Sequence, residues 1–317
     1  MHIPDGFLKI RVWGTMDLVA APAVAYLARR AQREFDHHKV PLMGVMGAFI
    51  FAAQMINFPV GNGTSGHLVG GALLAFTLGP AAASIVMTAI LATQALIFQD
   101  GGLLALGTNV FNMAIAGVWL GYLPYALLRG RRAGVFLGGM ISLLVSATLA
   151  LSELIASEVP IPPSLLAVSA GLFVVSAVIE GAITLAVVQA LERIQPGFLR
   201  QPKGITRRTG AILALTSAGL AAAGIFVAST KPDGIVSLAR QTGVWSQVTT
   251  LFKTPLADYQ AAFVSSPWLT KSVAGLAGLV VVYVLCLAIS RVLIAGRAPL
   301  AAPGSPREGG LIAPRAD

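Results

Sequence analysis

Residues 80–98, PAAASIVMTAILATQALIF, form a run of nineteen residues without an acidic or basic side chain. A helix needs about 20 apolar residues to cross the hydrocarbon core of a bilayer, so this run predicts a membrane span. Of the 317 residues, 56% are hydrophobic and only 11% are charged, whereas soluble domains carry roughly 25% charged residues. The composition therefore predicts an all-α polytopic membrane protein embedded in the lipid bilayer.

Nine apolar runs of this kind follow one another along the chain. They lie near 12–29, 40–57, 64–79, 80–98, 109–128, 134–156, 164–190, 209–228 and 270–291. The third is the shortest and contains Gly66, Gly70 and Gly71, which favour close packing against a neighbouring helix. The sequence thus predicts a seven-helix bundle followed by two additional transmembrane helices.

The basic residues lie in short clusters between these runs, which argues against nucleic acid as a partner. Sixteen of the 22 Lys and Arg residues fall at alternate ends of the spans, in the segments 29–39, 129–132, 193–208 and 291–315. The protein is expected in the cell (inner) membrane. Because positively charged loops face the cytoplasm, the amino terminus is predicted on the outer side of that membrane and the carboxyl terminus on the cytoplasmic side. The single cysteine, Cys286, lies in the last span, so neither a disulfide framework nor a thiolate metal site is expected.

A basic segment containing proline and glycine, residues 196–208, divides the chain into two units. The first unit, 1–195, holds seven predicted spans. The second, 209–291, holds two spans that flank an outer loop at 229–269. The Pro- and Gly-rich tail, 292–317, is predicted to be disordered in the cytoplasm.

The first six residues, Met1-His2-Ile3-Pro4-Asp5-Gly6, carry a candidate metal chelate. No cleavable signal peptide is evident, so Met1 is expected to remain. Its amine, together with the amide nitrogen of His2 and the near nitrogen of the His2 imidazole, can close two fused rings around one ion. Such a planar set suits Ni(II), Cu(II) or Co(II) better than tetrahedral zinc. His67, at the end of the glycine-rich loop 61–67, is the candidate for a fourth nitrogen.

Each histidine also has a simpler interpretation. A histidine at position 2 usually belongs to an exposed, mobile terminus, and His67 alone is typical of a hydrogen-bonded residue at a helix start. The turn signature Pro4-Asp5-Gly6 favours the metal site, because it predicts a terminus that bends back towards the bundle.

Further polar residues and glycines are predicted at the same outer end of the bundle. We expect them to support the chelate, although ordinary surface turns would also explain the loop at 99–109. The supporting set comprises Pro4, Asp5, Gly6, Gly63, Ser65, Gly66, Asp100, Asn109 and Asn112.

Glu180 falls near the middle of the seventh predicted span. An ionisable group at that depth indicates passage of a proton or an ion, and a glutamate that is hydrogen-bonded within the bundle is an alternative interpretation. His37 and His38 lie in a charged loop that is expected to be hydrated.

Several longer motifs resemble the CbiM/NikM family, the substrate-capture membrane subunits of energy-coupling-factor importers for cobalt or nickel. The motifs are the first eight residues, Gly63-Thr64-Ser65-Gly66-His67-Leu68, Gly79-Pro80, and the run from Gln94 through Asp100-Gly101-Gly102 to Asn109-Val110-Phe111-Asn112-Met113. The resemblance covers about residues 1–195. Residues 205–291 resemble, by layout, the two-span CbiN/NikN accessory subunit.

The resemblance implies that the Met1 amine, the His2 amide and imidazole and the His67 imidazole hold Ni²⁺ or Co²⁺ as cargo, with no permanently bound cofactor. It also implies a transmembrane coupling subunit of the CbiQ/NikQ type and an ATPase of the CbiO/NikO type. The chain itself contains no Gly-x-x-x-x-Gly-Lys-Ser/Thr phosphate loop and is not expected to be an enzyme. Small-residue stripes expected to dock the coupling subunit, or to serve internal packing, are Gly44, Ala48 and Ala52 on one span and Ala21 and Ala25 on another.

Two other functional classes are alternatives. A secondary metal permease would carry ionisable residues in several spans, and here essentially only Glu180 qualifies. A membrane-embedded metalloenzyme would need a general base and an open coordination position; Asp5 or Asp100 could serve as the base, but a four-nitrogen plane leaves no strong Lewis-acid position. The donor set does not distinguish nickel from cobalt.

Overall fold

The computed structural model describes residues 1–34, 36–199, 204–226 and 228–295. In this part of the chain, helices predominate and one short antiparallel hairpin is present. The helices are α1 (Ile10–Glu34), α2 (Val40–Gln54), α3 (Gly71–Leu78), α4 (Pro80–Thr93), α5 (Leu106–Asn109), α6 (Gly117–Leu127), α7 (Arg132–Ala156), α8 (Pro163–Ile194), α9 (Arg207–Ala223), α10 (Gly234–Thr242) and α11 (Pro267–Ala295). The strands are β1 (Asn57–Gly61) and β2 (Thr64–His67).

The centre of the molecule is formed by α2, α3 and α4, which are buried on nearly every side. Their sequences are apolar around the whole helix, as expected for helices enclosed by others. α4 continues as a wider π-helical segment, Gln94–Phe98, and a second such segment, Val110–Ala116, joins α5 to α6. Segments of this kind are rare and frequently lie near functional sites.

Five helices of the described chain are long and apolar enough to cross a membrane. They are Pro80–Phe98, Leu106–Leu127, Arg132–Ala156, Pro163–Ile194 and Leu269–Ala295. The chain is therefore a multi-pass membrane protein, as its composition predicts. The runs near 12–29, 40–57 and 209–228 correspond to α1, α2 and α9. That these three helices cross a membrane, and the orientation of the chain, stay predictions.

The predicted third span, 64–79, is wrong. Strand β2 occupies its first residues, and α3 is only eight residues long. At 1.5 Å per residue this helix rises about 12 Å, which is far less than the roughly 30 Å of a hydrocarbon core. Gly79, with φ of 87°, then separates α3 from α4. The apolar run of α3 thus fills the interior of the bundle and does not face lipid.

The second unit packs on the first through α2. Small residues of α2 admit α11 closely: a Cβ atom added at Gly44 would lie 2.9 Å from Leu287, and one at Gly47 would lie 2.6 Å from the Sγ atom of Cys286. Close approach at small residues is the usual way in which helices associate in a membrane. Cys286 is buried at this contact, in agreement with the packing role that its position suggests.

The predicted division at 196–208 lies between α8 and α9, with residues 200–203 outside the described part. Residues 292–295, which were predicted to belong to a disordered tail, form the end of α11. Residues 296–317 of that tail lie outside the described residues.

Candidate metal centre

The amino terminus is fixed in the molecule by backbone and side-chain hydrogen bonds. Ile3 is fully buried, and its N–H donates to Oδ1 of Asn109 over 2.9 Å. The carbonyl of Ile3 accepts from Nδ2 of Asn109 over 3.1 Å and from the N–H of Gly102 over 2.8 Å. A mobile terminus is therefore excluded, and Asn109 lies where a supporting residue is predicted.

The turn after Ile3 is held by the carboxylate of Asp5. It accepts hydrogen bonds from the backbone N–H groups of Leu103, Leu104 and Ala105 over 2.8–3.2 Å. A Cβ atom at Gly102 would lie 2.2 Å from Oδ1 of Asp5, so the contact requires glycine there. The loop after α4 thus cradles the bent terminus.

The hairpin of β1 and β2 brings His67 to the same place. Its two-residue turn, Asn62-Gly63, has positive φ at both positions, at 46° and 69°, which matches the twist of paired strands. All four residues of β2, including Ser65 and Gly66, are buried. A Cβ atom at Gly66 would lie 2.9 Å from Oγ of Ser176 on α8.

The predicted donors meet at the end of the bundle that is predicted to face outward. The amine nitrogen of Met1 lies 2.6 Å from Nε2 of His67. The rings of His2 and His67 are parallel within 3°, with centroids 5.5 Å apart. Nδ1 of His67 lies 3.0 Å from the carbonyl oxygen of Leu68. Because a carbonyl only accepts, Nδ1 must donate, which leaves the lone pair of Nε2 directed at the amine.

The imidazole of His2 has one nitrogen without a protein partner. Its Nδ1 lies 3.2 Å from Oδ1 of Asp100. Its Nε2 is buried and has no hydrogen-bond partner among the described residues. Asp100 therefore lies against the near ring nitrogen of His2, the one that the predicted chelate would use, and also accepts a hydrogen bond of 2.7 Å from the hydroxyl of Tyr259.

Two carboxylates balance the nitrogen donors electrostatically. Burial would raise the pKa of Asp100, but the charge and hydrogen bond of His2 outweigh it and hold that pKa well below its usual range. Burial likewise acts to raise the pKa of Asp233, but the charge and the hydrogen bond of the Met1 amine lower that pKa below its usual value. Both groups are thus anionic at neutral pH, which favours a cation in their vicinity.

Asp233 is a residue of the centre that the sequence analysis missed. Its Oδ2 lies 2.5 Å from the amine of Met1 and 3.9 Å from Nε2 of His67. Its Oδ1 accepts from the N–H of Val236 over 2.8 Å and so caps α10. The local signal, Pro232-Asp233-Gly234, indicates a turn, whereas the contact joins residues 232 positions apart.

The remaining predicted residues have different positions. Pro4 lines a cavity of about 560 Å³ that opens beside His2, His67, Asp100 and Asp233. Asn112 is directed away from the centre: its Nδ2 donates to Oε2 of Glu153 over 2.7 Å. Asn112 supports α7 and not the chelate.

Gly6 stands at φ of 95°, and a Cβ atom there would lie 1.9 Å from the carbonyl oxygen of Gln247. The absence of a side chain at Gly6 therefore lets the terminus pack closely against the loop 229–269 of the second unit.

The small-residue stripe on α2 does not form an outer surface. Gly44, Ala48 and Ala52 are buried, and Gly44 is covered by α11 of the same chain. The prediction that a partner docks on this stripe is wrong. Of the two roles suggested for it, internal packing is the one that the buried residues serve. Ala21 and Ala25 are exposed on α1.

One further group of potential ligands lies elsewhere in the described chain. Asp36, His37 and His38 bring their ligand atoms within 4.8 Å of one another. His37 and His38 are exposed, in agreement with the hydrated loop expected there.

Comparison with known proteins identifies the family of the first unit. A family model for CbiM, described as the cobalt uptake substrate-specific transmembrane region, matches residues 2–198. The chain belongs to the CbiM family. The resemblance to CbiM/NikM proteins noted in the sequence is thereby confirmed.

Two relatives extend the similarity of this CbiM-family chain into its second unit. A putative fused nickel transport protein NikMN of Archaeoglobus fulgidus is 32% identical over 304 residues, covering 92% of this chain and 98% of that protein. A probable fused nickel transport protein LarMN of Lactiplantibacillus plantarum is 33% identical over 73% of this chain and 76% of that protein. The second unit thus has counterparts in proteins named as fusions.

A solved structure shares the fold of the first unit of this CbiM-family chain. A crystal structure titled as a truncated transition metal transporter superimposes with a TM-score of 0.54 at 34% identity, covering 61% of this chain and 99% of that one. A second, titled as a transition metal transporter, gives the same TM-score at 33% identity.

Proposed function

We propose that this chain is the membrane substrate-binding subunit of an ATP-driven importer of the energy-coupling-factor type, with Ni²⁺ or Co²⁺ as its substrate. The observation that carries the proposal is the convergence of the Met1 amine on Nε2 of His67, at 2.6 Å, beside the parallel ring of His2. Two nitrogens at right angles on a metal with bonds of about 2.0 Å lie about 2.8 Å apart. The observed separation is close to that value.

The proposed ion is held by four nitrogens: the amine of Met1, the amide and imidazole of His2, and Nε2 of His67. A nearly planar set of this kind suits Ni(II) and Co(II). Asp100 and Asp233 add negative charge around the ion. The cavity beside them provides room for a hydrated ion to approach and lose its water.

The outer loop of the second unit, residues 229–269, is proposed to gate this site. The carbonyl of Pro232 accepts from the N–H of Ser65 over 2.9 Å, and the N–H of Thr249 donates to the carbonyl of Asp5 over 3.1 Å. The loop also contributes the carboxylate of Asp233 and the hydroxyl of Tyr259. It therefore contacts both the terminus and the strand that present the donors.

Gating is tested by uptake measurements with Asp233→Ala and Trp245→Ala. Trp245 packs edge-on against Phe7 with centroids 6.1 Å apart, so both changes loosen the loop from the terminus. We expect both to lower uptake, with the exposed Lys253→Ala as control. Full uptake in both variants would remove the support for a gate.

Import is proposed to require a transmembrane coupling subunit of the CbiQ/NikQ type and an ATPase of the CbiO/NikO type. The absence of a phosphate loop from the sequence is consistent with ATP hydrolysis on another chain. Rearrangement of these partners would release the ion on the cytoplasmic side. Uptake that proceeds unchanged without the ATPase would instead indicate a secondary permease.

The metal site is tested with purified protein carrying its own amino terminus. Ni²⁺ and Co²⁺ are titrated separately into this protein, into a form with one extra residue before Met1, and into His67→Ala. We expect both changes to abolish tight binding, because each removes a donor, and the exposed His38→Ala to leave it unchanged. Full binding by the extended form would refute the four-nitrogen site.

A further inference from the structure

Glu180 is fully buried on α8 and faces the turn that follows β2. Its Oε2 accepts from the N–H of Val69 and its Oε1 from the N–H of Gly70, each over 2.8 Å. Both oxygens are therefore engaged by the backbone. This arrangement matches the hydrogen-bonded alternative of the sequence analysis and not a group standing free in an ion path.

The two amides belong to the turn between His67 and α3. Gly70 has φ of 77°, and a Cβ atom there would lie 2.7 Å from Ile50. The carbonyl of Val69 accepts from Nε2 of Gln54 over 2.7 Å, and Oε1 of Gln54 accepts from Gln94 over 2.9 Å. The turn is thus fixed from α2, from the π-helical segment after α4 and from α8.

This turn also orients the imidazole of His67. The carbonyl of Leu68, one residue before Val69, accepts from Nδ1 of His67 over 3.0 Å. The position of that carbonyl decides where Nε2 points. Partners of this kind orient metal-binding histidines and fix their tautomer.

The same face of α8 contacts two more parts of the centre. Ser176, four residues before Glu180, lies against Gly66 of β2. Phe173, a further turn away, lies against Gly234 beside Asp233. Residues spaced by three and four share one face of a helix, so α8 presents a single stripe to the capture site.

We propose that Glu180 is a positioning residue for metal capture, which holds the turn at 68–70 so that Nε2 of His67 is directed at the amine of Met1. The proposal rests on the proposed function and deepens it. It also couples the position of α8 to the capture site, because a displacement of α8 would move the turn and with it His67.

The test compares Glu180→Gln with Glu153→Gln in the purified full chain. Glu153 is a matched control, since it is also a buried helical carboxylate but accepts from the side chain of Asn112 and does not contact the turn. A glutamine at 180 keeps one acceptor and turns an NH₂ group towards the second N–H. Ni²⁺ affinity is measured by titration calorimetry, and the donor set by the d–d absorption band of bound Ni(II).

We expect Glu180→Gln to weaken Ni²⁺ binding by about 10- to 100-fold and to shift its d–d band towards that of His67→Ala. Glu153→Gln should keep both the affinity and the band of the unchanged protein. The band is recorded per bound ion, so a smaller folded fraction does not alter its position. An unchanged affinity and band in Glu180→Gln would overturn the proposal.

Glu180→Asp provides a second variant if the glutamine protein folds poorly. It keeps both acceptors but is one methylene shorter, so we expect a smaller shift of the band in the same direction. An unshifted band in folded Glu180→Asp would count against the proposal. If His67→Ala itself binds Ni²⁺ normally, the proposed four-nitrogen site is refuted, and with it the role of Glu180. If His67→Ala loses binding but Glu180→Gln does not, only the role of Glu180 is refuted.

Discussion

The surroundings of His67 hold its imidazole in the protonation state that the proposed metal binding requires. Burial, followed by the positive charges of the Met1 amine and His2, lowers the pKa of His67 to about 3. The imidazole is therefore neutral throughout the physiological range and has no proton to lose on binding. Its sequence neighbours Gly66 and Leu68 could not predict this, because the charges come from residues distant in sequence.

Proton release on metal binding must then come from the other donors, the amine of Met1 and the amide and imidazole of His2. The amine and the amide each give up one proton, and a charged His2 imidazole gives up a third, so we expect about two to three protons released per ion and an affinity that rises with pH. Calorimetry in buffers of different ionisation enthalpy measures this number. A release near zero would show that the amine and amide are not donors.

Gly102→Ala tests the position of the amino terminus by adding one methyl group beside it. The added methyl group would lie 2.2 Å from Oδ1 and 2.5 Å from the backbone nitrogen of Asp5, so the turn that presents Met1 must move. We expect Ni²⁺ affinity to fall by at least about tenfold, in line with the sensitivity of metal sites to their supporting groups. Gly171→Ala on α8 is the control, because nothing lies within 4 Å of its added atom. Equal affinity in both variants would contradict this placement of the terminus.

Among the elements, the long apolar helices were predictable and the hairpin was not. Helices α4, α7, α8 and α11 follow from long apolar runs with few charged residues, because such runs have few other stable structures in a membrane protein. Strands β1 and β2 are five and four residues long, too short for a distinct periodic pattern. Asp233 was missed for a related reason, since a turn signature does not reveal a contact made 232 residues away.

The contact of α2 with α11 can be probed through the one cysteine of the chain. In Gly47→Val the added Cβ atom would lie 2.6 Å from Sγ of Cys286. Overpacking of this kind costs about 1–3 kcal/mol, so local opening should speed labelling of Cys286 by a membrane-permeant thiol reagent roughly ten- to a hundredfold. Gly219→Val on α9 is the control, with nothing within 4 Å of the added atom. Slow labelling in both would mean that α11 does not depend on this contact.

For the whole molecule, the proposed metal centre and the surface predicted to bind a coupling subunit are separate. The centre lies where the terminus, the hairpin and the outer loop meet. Ala21 and Ala25 lie exposed on α1 beside the exposed side chains Leu18 and Tyr26. The surface predicted to bind the coupling subunit can thus be altered without touching the predicted donors.

Ala21→Leu combined with Ala25→Leu should therefore lower ATP-driven uptake several-fold while leaving Ni²⁺ affinity unchanged, since bulky residues prevent close helix approach. Uptake is measured in cells that also produce the coupling subunit and the ATPase, and affinity is measured on the purified chain. Ala170→Leu, on the exposed side of α8, is the control. Undiminished uptake by the double variant would place the docking surface elsewhere.

The covalent link between the two units has a consequence for how Asp233 reaches the amine of Met1. Joined in one polypeptide, the outer loop meets the capture site at an effective concentration set by the tether, which is of millimolar order for short flexible connections. Weak docking is then sufficient to keep the loop in place. If the chain were cut between α8 and α9, the two units could diffuse apart in the bilayer. Substitutions in the contact that have no effect in the fused protein would then cause the second unit to dissociate from the first.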